Sequence, residues 1–341
     1  MSGRPVAPWR ALVFEQYEPT GKSLDWLRER GGELTLGYAL WETPFWRYSE
    51  DEFIAAAQGR VAVMGASGTR ITRRIIEALP ELRFISKFGI GADSIDIEAA
   101  TEHGVLVANT PEESQVTTVC EHAIAMMLAL KKQLLVWTPE FMARGGWRGT
   151  VFSSSMLGAT IGIVGFGRIG RGVAERLAGW GVRILAYDPF VNTPPAGVTL
   201  TDLPTLLESS DVVTLHAVPT VQNRHFIDGR ALARMKPTAI LINTGRGSLV
   251  DYAALRQALA SGQIAGAALD VYEREPPDPA DPLFSMPNVI CTPHVAAWTW
   301  DAVQNVGWHG ARNLWAMVSG EGEADIVNPE ARRQAASLRP S

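Results

Sequence analysis

Short apolar runs alternate with helical segments along almost the whole chain, and this alternation predicts two successive α/β series. In the first series, strands are predicted at 11–14, 61–64, 84–88 and 105–108, with helices at 23–31 and 72–79. In the second, strands are predicted at 161–164, 182–187, 212–216, 239–243, 266–271 and 289–292, with helices at 168–178, 203–209, 229–235 and 252–261. Long helices are predicted at 117–136 and 300–318. Strands that alternate with helices are typical of a parallel sheet, so each series predicts one parallel-sheet domain.

Composition narrows the class of protein. With 341 residues, 46% hydrophobic and 20% charged, the chain has the length of two domains and enough apolar residues for a sizeable core. That balance excludes disorder over the whole chain. A net charge of −5 gives no basic excess for nucleic acid, and we find no signal peptide and no apolar run long enough for a membrane span. With Cys120 and Cys291 as the only cysteines, we expect a soluble, cytoplasmic protein without a disulfide scaffold, metal, nucleic-acid partner or membrane partner.

The clearest chemical signal follows the strand predicted at 161–164 and reads Gly165-Phe166-Gly167-Arg168-Ile169-Gly170. A GxGxxG motif alone is weak, but here a strand precedes it and a helix begins within it. In that context the glycines allow a tight turn, a close approach of a pyrophosphate and close helix–strand packing. Phosphate oxygens suit the free N–H groups at the helix N-terminus. Asp188 ends the next strand, 18 residues after Gly170, where a carboxylate can bind ribose hydroxyls and repel a 2′-phosphate, so the motif favours NAD over NADP.

Three more segments lie at predicted strand ends, where open α/β sheets place their ligand crevice. Arg246 stands in the turn Asn243-Thr244-Gly245-Arg246-Gly247 and can grip a carboxylate with its planar fork of donors. Asp270 begins an acid-rich turn that by itself is typical of a solvated loop, and His294 follows the last strand. Each of these residues alone is more often structural, and only their combination indicates chemistry.

Together these segments resemble the D-isomer-specific 2-hydroxyacid dehydrogenases, a family that includes phosphoglycerate dehydrogenase and glyoxylate/hydroxypyruvate reductase. The resemblance extends from about Ile85 to Pro329. Besides the glycine motif it rests on Phe88-Gly89-Ile90-Gly91-Ala92-Asp93, Asn109-Thr110-Pro111, Asn243-Thr244-Gly245-Arg246-Gly247, Asp270-Val271-Tyr272-Glu273-Arg274-Glu275-Pro276, Pro293-His294 and Val327-Asn328-Pro329.

The resemblance implies an α/β fold of two Rossmann-like, doubly wound parallel-sheet domains. A discontinuous substrate domain would comprise residues 1–108 and 298–341, and the NAD-binding domain, residues 109–297, would be inserted in it. Family members are usually homodimers with their active site in the cleft between domains, and they act on small carboxylates.

The family's catalytic residues correspond to Arg246, Glu275 and His294. His294 would exchange the proton of the carbonyl oxygen, since imidazole titrates near neutral pH. Glu275 would orient its ring, and Arg246 would bind the substrate carboxylate together with the Ile90–Gly91 backbone. The cofactor residues implied are the glycines of the motif with Arg168 and Ile169, and Asp188, His216, Pro219, Thr244, Gly245 and Asp270, the last as acceptor for the nicotinamide amide.

Several alternatives stay open at this point. Formate dehydrogenases of the superfamily carry Gln where this chain has Glu275, and phosphite-oxidising relatives carry Lys at the position of Ile90. Some relatives are corepressors that sense NAD without turnover. Trp298 after His294 is a candidate wall of the substrate pocket, and specificity is expected from the N-terminal loops around Trp41 to Trp46, which include Phe45, and Gly65 to Arg70. Neither the substrate, nor whether it is phosphorylated, nor the direction of reaction follows from the sequence.

Overall fold

A computed structural model of the protein describes residues 8–42, 47–65, 68–147 and 152–333. The chain divides into two compact units, Met1–Gln115 together with Trp300–Ser341, and Val116–Thr299. The boundaries predicted from the sequence, at 108/109 and 297/298, lie near these positions. Phe45 and Trp46 of the predicted aromatic loop lie outside the described residues.

The first unit is built on a five-stranded parallel sheet in the order β2-β1-β3-β4-β5. Its strands are β1 (Trp9–Gln16), β2 (Gly32–Ala39), β3 (Ala62–Gly65), β4 (Phe84–Lys87) and β5 (Leu106–Ala108). Its helices are α1 (Lys22–Arg28), α2 (Glu50–Ala57), α3 (Arg73–Glu77), α4 (Ile97–Glu102) and, from the C-terminal segment, α11 (Trp300–Ser319).

Both faces of this sheet are covered, because successive strand residues point to opposite sides. Leu12 and Phe14 of β1 join the core beneath α2, α3 and α4, whereas Ala11 and Val13 join the core beneath α1 and α11. Strands buried on both faces have sequences that are continuous apolar runs, and for this reason the sequence pattern predicts β1, β3 and β4.

The second unit holds a seven-stranded parallel sheet in the order β12-β11-β10-β9-β6-β7-β8. Its strands are β6 (Thr160–Val164), β7 (Arg183–Tyr187), β8 (Val198–Leu200), β9 (Val212–Leu215), β10 (Ile240–Asn243), β11 (Gly266–Leu269) and β12 (Val289–Cys291). Its helices are α6 (Pro139–Ala143), α7 (Arg168–Leu177), α8 (Leu203–Ser209), α9 (Gly229–Arg234) and α10 (Tyr252–Ala260), and α5 (Glu113–Lys131) belongs to it from Val116 on.

The strand order of the second unit reverses at β6, which pairs with β7 on one side and with β9 on the other. Such a switch point is where doubly wound sheets bind their ligands, beyond the carboxyl ends of the strands. The two parallel sheets confirm the predicted α/β class.

Two local expectations need correction. The helix predicted over 117–136 ends at Lys131, because Gln133 takes a left-handed conformation (φ 55°) that an α-helix cannot continue. Strands β2 and β8 lie at the edges of their sheets and have no counterpart in the predicted pattern.

Among the described helices, none combines the length and hydropathy needed to cross a membrane. Within the same described residues, no group of three or more His, Cys, Asp or Glu side chains is arranged to hold a metal ion.

Candidate active site

The glycine motif forms the tight turn between β6 and α7, and each glycine has its own geometric reason. Gly165 has φ +88°, and a Cβ there would lie 2.4 Å from the Ala217 amide nitrogen. A Cβ on Gly170 would lie 2.2 Å from the Gly165 carbonyl oxygen, so only glycine lets helix and strand approach this closely. A Cβ on Gly167 meets no atom within 4 Å, so this glycine borders open space.

The start of α7 suits an anion. The helix is 10 residues long, and no side chain caps its N-terminus at Gly167. Backbone N–H groups and the positive end of the helix dipole are therefore available to a phosphate. Arg168 is the first residue of the helix, and Ile169 packs against the core of the unit.

Asp188 closes the same turn from the end of β7. One carboxylate oxygen accepts a hydrogen bond from the Phe166 amide at 2.8 Å, and the other accepts one from the Phe190 amide at 2.9 Å. The acid is thereby fixed beside the glycine turn, with acceptor capacity left for a hydroxyl ligand. The uncapped helix start, the open space at Gly167 and this fixed acid fit a dinucleotide such as NAD.

His216 lies just beyond β9, on the other side of the switch point. Its Nε2 is 2.9 Å from the Thr214 hydroxyl, and its Nδ1 is 3.4 Å from the Thr244 hydroxyl. Burial lowers the pKa of His216 to about 4, so the ring is neutral at physiological pH. Pro219 follows in the same loop, and the Gly245 amide donates to the Asn243 side chain at 3.1 Å, which shapes the turn after β10.

Glu275 and His294 form a hydrogen-bonded pair. The His294 Nδ1 is 2.8 Å from Glu275 Oε2, and Glu275 Oε1 accepts from the Tyr272 amide at 3.0 Å. Burial alone would raise the pKa of the Glu275 carboxyl. The hydrogen bond and charge of His294, followed by the Tyr272 amide and Arg246, outweigh burial and hold that pKa below its ordinary value. Glu275 is therefore ionised at neutral pH.

Arg246 lies in the turn that follows β10 and contributes a positive charge to this pair. Its Nη1 donates to the Gly245 carbonyl at 2.8 Å, and its own carbonyl accepts from the Asn243 side chain at 3.0 Å. The next residue is Gly247, where an added Cβ would lie 1.9 Å from the Tyr272 carbonyl carbon. The arginine turn thus packs directly against the segment that holds Glu275, and the second unit brings the three predicted catalytic residues together.

Asp270 corrects the expectation of a solvated loop, because its side chain is fully buried. Its carboxylate accepts three hydrogen bonds, from the Thr292 hydroxyl at 2.6 Å and from the amides of Val295 and Ala296 at 2.8 and 2.9 Å. Its carbonyl accepts the His294 amide at 2.8 Å. These bonds hold the turn that carries His294, whose φ of +57° is unusual for a residue other than glycine. Sequence reasoning missed this role.

The predicted substrate-side residues belong to different units. In the first unit, Ile90 follows β4, is 36% exposed, and accepts the Asn109 side-chain amide at 2.5 Å on its carbonyl. Gly91 comes next in the same loop. In the second unit, Trp298 is 40% exposed, and its amide donates to the Val295 carbonyl at 2.8 Å, so it closes the turn that begins at Val295, next to His294.

Comparison with known proteins now assigns the family. Residues 124–296 match the sequence profile described as "D-isomer specific 2-hydroxyacid dehydrogenase, NAD binding domain". The chain is 38% identical over 298 residues to a glyoxylate reductase of Thermofilum pendens, covering 85% of this chain and 87% of that protein. The protein belongs to the D-isomer specific 2-hydroxyacid dehydrogenase family, and its second unit contains the part that matches the NAD-binding domain.

Two further similarities help to define its place in the family. The chain is 38% identical over 311 residues to a D-3-phosphoglycerate dehydrogenase of Archaeoglobus fulgidus, covering 90% of this chain and 57% of that protein. It thus spans only about half the length of the curated phosphoglycerate dehydrogenases that it matches. A solved NAD-dependent formate dehydrogenase from Staphylococcus aureus, in complex with NAD, is 29% identical with a TM-score of 0.81, covering 94% of this chain and 98% of that one.

Proposed function

We propose that the protein is an NAD-dependent D-2-hydroxyacid dehydrogenase that interconverts a 2-keto acid and a D-2-hydroxy acid. The observation that supports this most directly is the His294–Glu275 pair at 2.8 Å, with the positive charge of Arg246 acting on it. NAD(H), when bound, supplies or accepts the hydride. The residues of the chain bind the carboxylate and move the proton.

His294 acts as the acid in reduction and as the base in oxidation. Because its Nδ1 hydrogen-bonds to an ionised Glu275, the proton on that nitrogen stays in place, and Nε2 is left to exchange a proton with the substrate oxygen. The carboxylate also stabilises the imidazolium before it gives up its proton. In the reverse reaction the neutral ring takes the proton back from the substrate hydroxyl.

Arg246 binds the substrate carboxylate and polarises the keto oxygen. A guanidinium offers two parallel donors to a carboxylate, and its fixed charge stabilises the negative charge that develops on the oxygen. The Ile90–Gly91 backbone is proposed as a second carboxylate ligand, and Trp298 as a wall for the substrate side chain.

The proposed cofactor contacts use the groups at the switch point. The α7 N-terminus and Gly167 would hold the pyrophosphate, Asp188 the adenosine ribose, and His216 with Pro219 the adenosine side. Thr244 and Gly245 would line the turn beside the nicotinamide. Asp270, whose carboxylate accepts three hydrogen bonds within the protein, is proposed as the acceptor for the nicotinamide amide.

A formate-type activity is the second candidate, favoured by the similarity to the staphylococcal formate dehydrogenase. Oxidation of formate to carbon dioxide releases no proton from the substrate, so it needs no acid–base residue. The ionised Glu275 paired with His294 is machinery for proton transfer, and this favours the 2-hydroxyacid reaction.

The test is NADH oxidation with a panel of keto acids at roughly neutral pH. The panel holds glyoxylate, hydroxypyruvate, phosphohydroxypyruvate, pyruvate and phenylpyruvate. We expect turnover of at least one member and a loss of about 10²- to 10⁴-fold in kcat for His294→Ala. Arg246→Lys keeps the charge without the planar fork, so it should raise KM as well as lower kcat.

The control is NADH binding by fluorescence, which both variants should retain. Failure of every keto acid, together with turnover of formate or phosphite with NAD⁺, would replace the proposal by the second candidate. Binding of NADH without any turnover would instead favour a cofactor-sensing protein.

We further propose a homodimer and a cytoplasmic location. A set of apolar side chains between α5 and β6 is exposed in the second unit, comprising Leu134, Leu135, Met142, Trp147 and Phe152. Exposed apolar surface of this kind is typical of an interface with another protein chain. Light scattering should give twice the chain mass, and Trp147→Ser should shift the measured mass toward that of the monomer.

The free thiols Cys120 and Cys291 suit a reducing compartment, which supports the proposed cytoplasmic location.

A further inference from the structure

His122 lies outside every predicted motif, yet its side chain reaches the network behind His294. It is a residue of α5 and is partly buried, with 24% of its side chain exposed. Its Nε2 is 3.2 Å from the Thr292 hydroxyl and 3.8 Å from Asp270 Oδ1. Within the described part of the chain, His122 is the basic side chain that comes within ion-pair distance of Asp270.

The direction of these hydrogen bonds follows from the number of protons. The Thr292 hydroxyl has one proton, and Asp270 Oδ1, which as a carboxylate can only accept, lies 2.6 Å from it. The hydroxyl therefore donates to Asp270 and uses a lone pair toward His122. It follows that His122 Nε2 carries a proton and donates a hydrogen bond to the Thr292 hydroxyl oxygen.

This chain of donors ends at the turn that carries the proposed acid–base residue. Asp270 is fully buried and also accepts the amides of Val295 and Ala296. His294 stands between Thr292 and these amides with φ +57°, a conformation that persists only where the surroundings hold it. Any contact that fixes the Asp270 carboxylate therefore also fixes the backbone on both sides of His294.

We propose that His122 is a positioning residue for the reaction proposed above. By donating to Thr292 it fixes the rotamer in which the hydroxyl donates to Asp270, and Asp270 then holds the His294 turn. The expected effect on kcat rests on the proposed function. The expected effect on the stability of the His294 turn rests only on the hydrogen bonds within the second unit.

A matched pair of substitutions tests the donor. His122→Gln keeps an N–H close to the position of Nε2, whereas His122→Met has a similar shape and no donor, and both residues favour helices. We expect His122→Met to lower kcat about fivefold to tenfold, the factor that one ordinary hydrogen bond supplies, with KM for the keto acid nearly unchanged. His122→Gln should stay within about twofold of the wild type by the same reasoning. Equal losses in the two variants would overturn the proposal.

A double-mutant cycle tests whether His122 acts through Thr292. Thr292→Val removes the hydroxyl, so adding His122→Met should cost nothing further if both residues serve one path. Additive losses would mean that the two side chains act separately, and the proposal would be wrong.

Amide hydrogen exchange gives a readout that does not depend on turnover. The amides of Val295 and Ala296 should exchange faster in His122→Met and at the wild-type rate in His122→Gln, since only the first variant loosens Asp270. Unchanged exchange in His122→Met would refute the proposal even in an active enzyme. If the wild type reduces no keto acid, the proposed function fails, and the exchange experiment still decides the role of His122.

Discussion

Lowering the pH should destabilise the second unit through His216, which is neutral in the folded protein. Its pKa is lowered by burial from 6.5 to about 4, so between these values the unfolded chain binds a proton that the folded chain does not. Stability therefore falls as the pH drops through this window, and the loss is complete below about 4.

The size of the effect follows from the two pKa values. Each pH unit in the window is worth about 1.4 kcal/mol, so the interval from 6.5 to about 4 corresponds to about 3.5 kcal/mol in all. His216 as a whole residue is only partly buried, so some hydration of the charged form remains and reduces the cost of charging it. We therefore expect a measured loss of about 1 to 2 kcal/mol.

The assay compares the wild type with His216→Gln, which keeps a polar group near Thr214 and cannot titrate. The free energy of unfolding in urea is measured for both proteins near neutral pH and near the low end of the window. All other titrating groups are common to the two proteins, so their contributions cancel in the difference. The wild type should lose stability relative to the variant as the pH falls, and parallel curves would refute the reasoning.

Three further predictions concern the cofactor turn. Gly170→Ala forces a methyl to within 2.2 Å of the Gly165 carbonyl and should cost at least about 2 kcal/mol in urea unfolding; a variant as stable as the wild type would contradict the packing argument. Gly167→Ala is its matched control, since its methyl meets no protein atom. It should keep the stability and weaken NADH binding in a fluorescence titration, and unchanged affinity would exclude a phosphate site at this position. Asp188→Ala should weaken NADH about tenfold and NADPH less, because it removes an acceptor for the ribose and a charge that repels the 2′-phosphate; equal losses would contradict its assigned role.

The sequence pattern predicts the centre of each sheet better than its edge. Central strands such as β6 are buried on both faces and appear as continuous apolar runs. The edge strand β2 is buried only at its first and last residues and contains two glycines, so its sequence lacks such a run. The second edge strand that was missed, β8, is three residues long and has no fully buried position, whereas the edge strands β5 and β12 were predicted. Partial burial, together with the two glycines of β2, explains why both were missed.

The catalytic residues were predictable because each follows a strand within a short, ordered motif. What could not be predicted is which partner fills each hydrogen bond. Asp270 contacts a segment 22 to 26 residues later, and His122 reaches Thr292 across 170 positions. The spacing of apolar residues along the chain carries no information about such contacts. The sequence alone therefore places Asp270 in a solvated loop, whereas in the folded protein it is buried and holds the His294 turn.

The split first unit has a consequence for the order of synthesis. Its sheet buries Val13 and Phe88 beneath α11, and Asn328 bonds to the backbone of Val105 and Val107 across more than 220 positions. The ribosome makes these partners only after the whole of Val116–Thr299 has been synthesised. The second unit, continuous in sequence, can therefore fold during translation, while the first sheet waits with one apolar face uncovered and available to chaperones. A stop in translation after Thr299 but before the end of α11 leaves a nascent chain with the whole second unit and an unfinished first one.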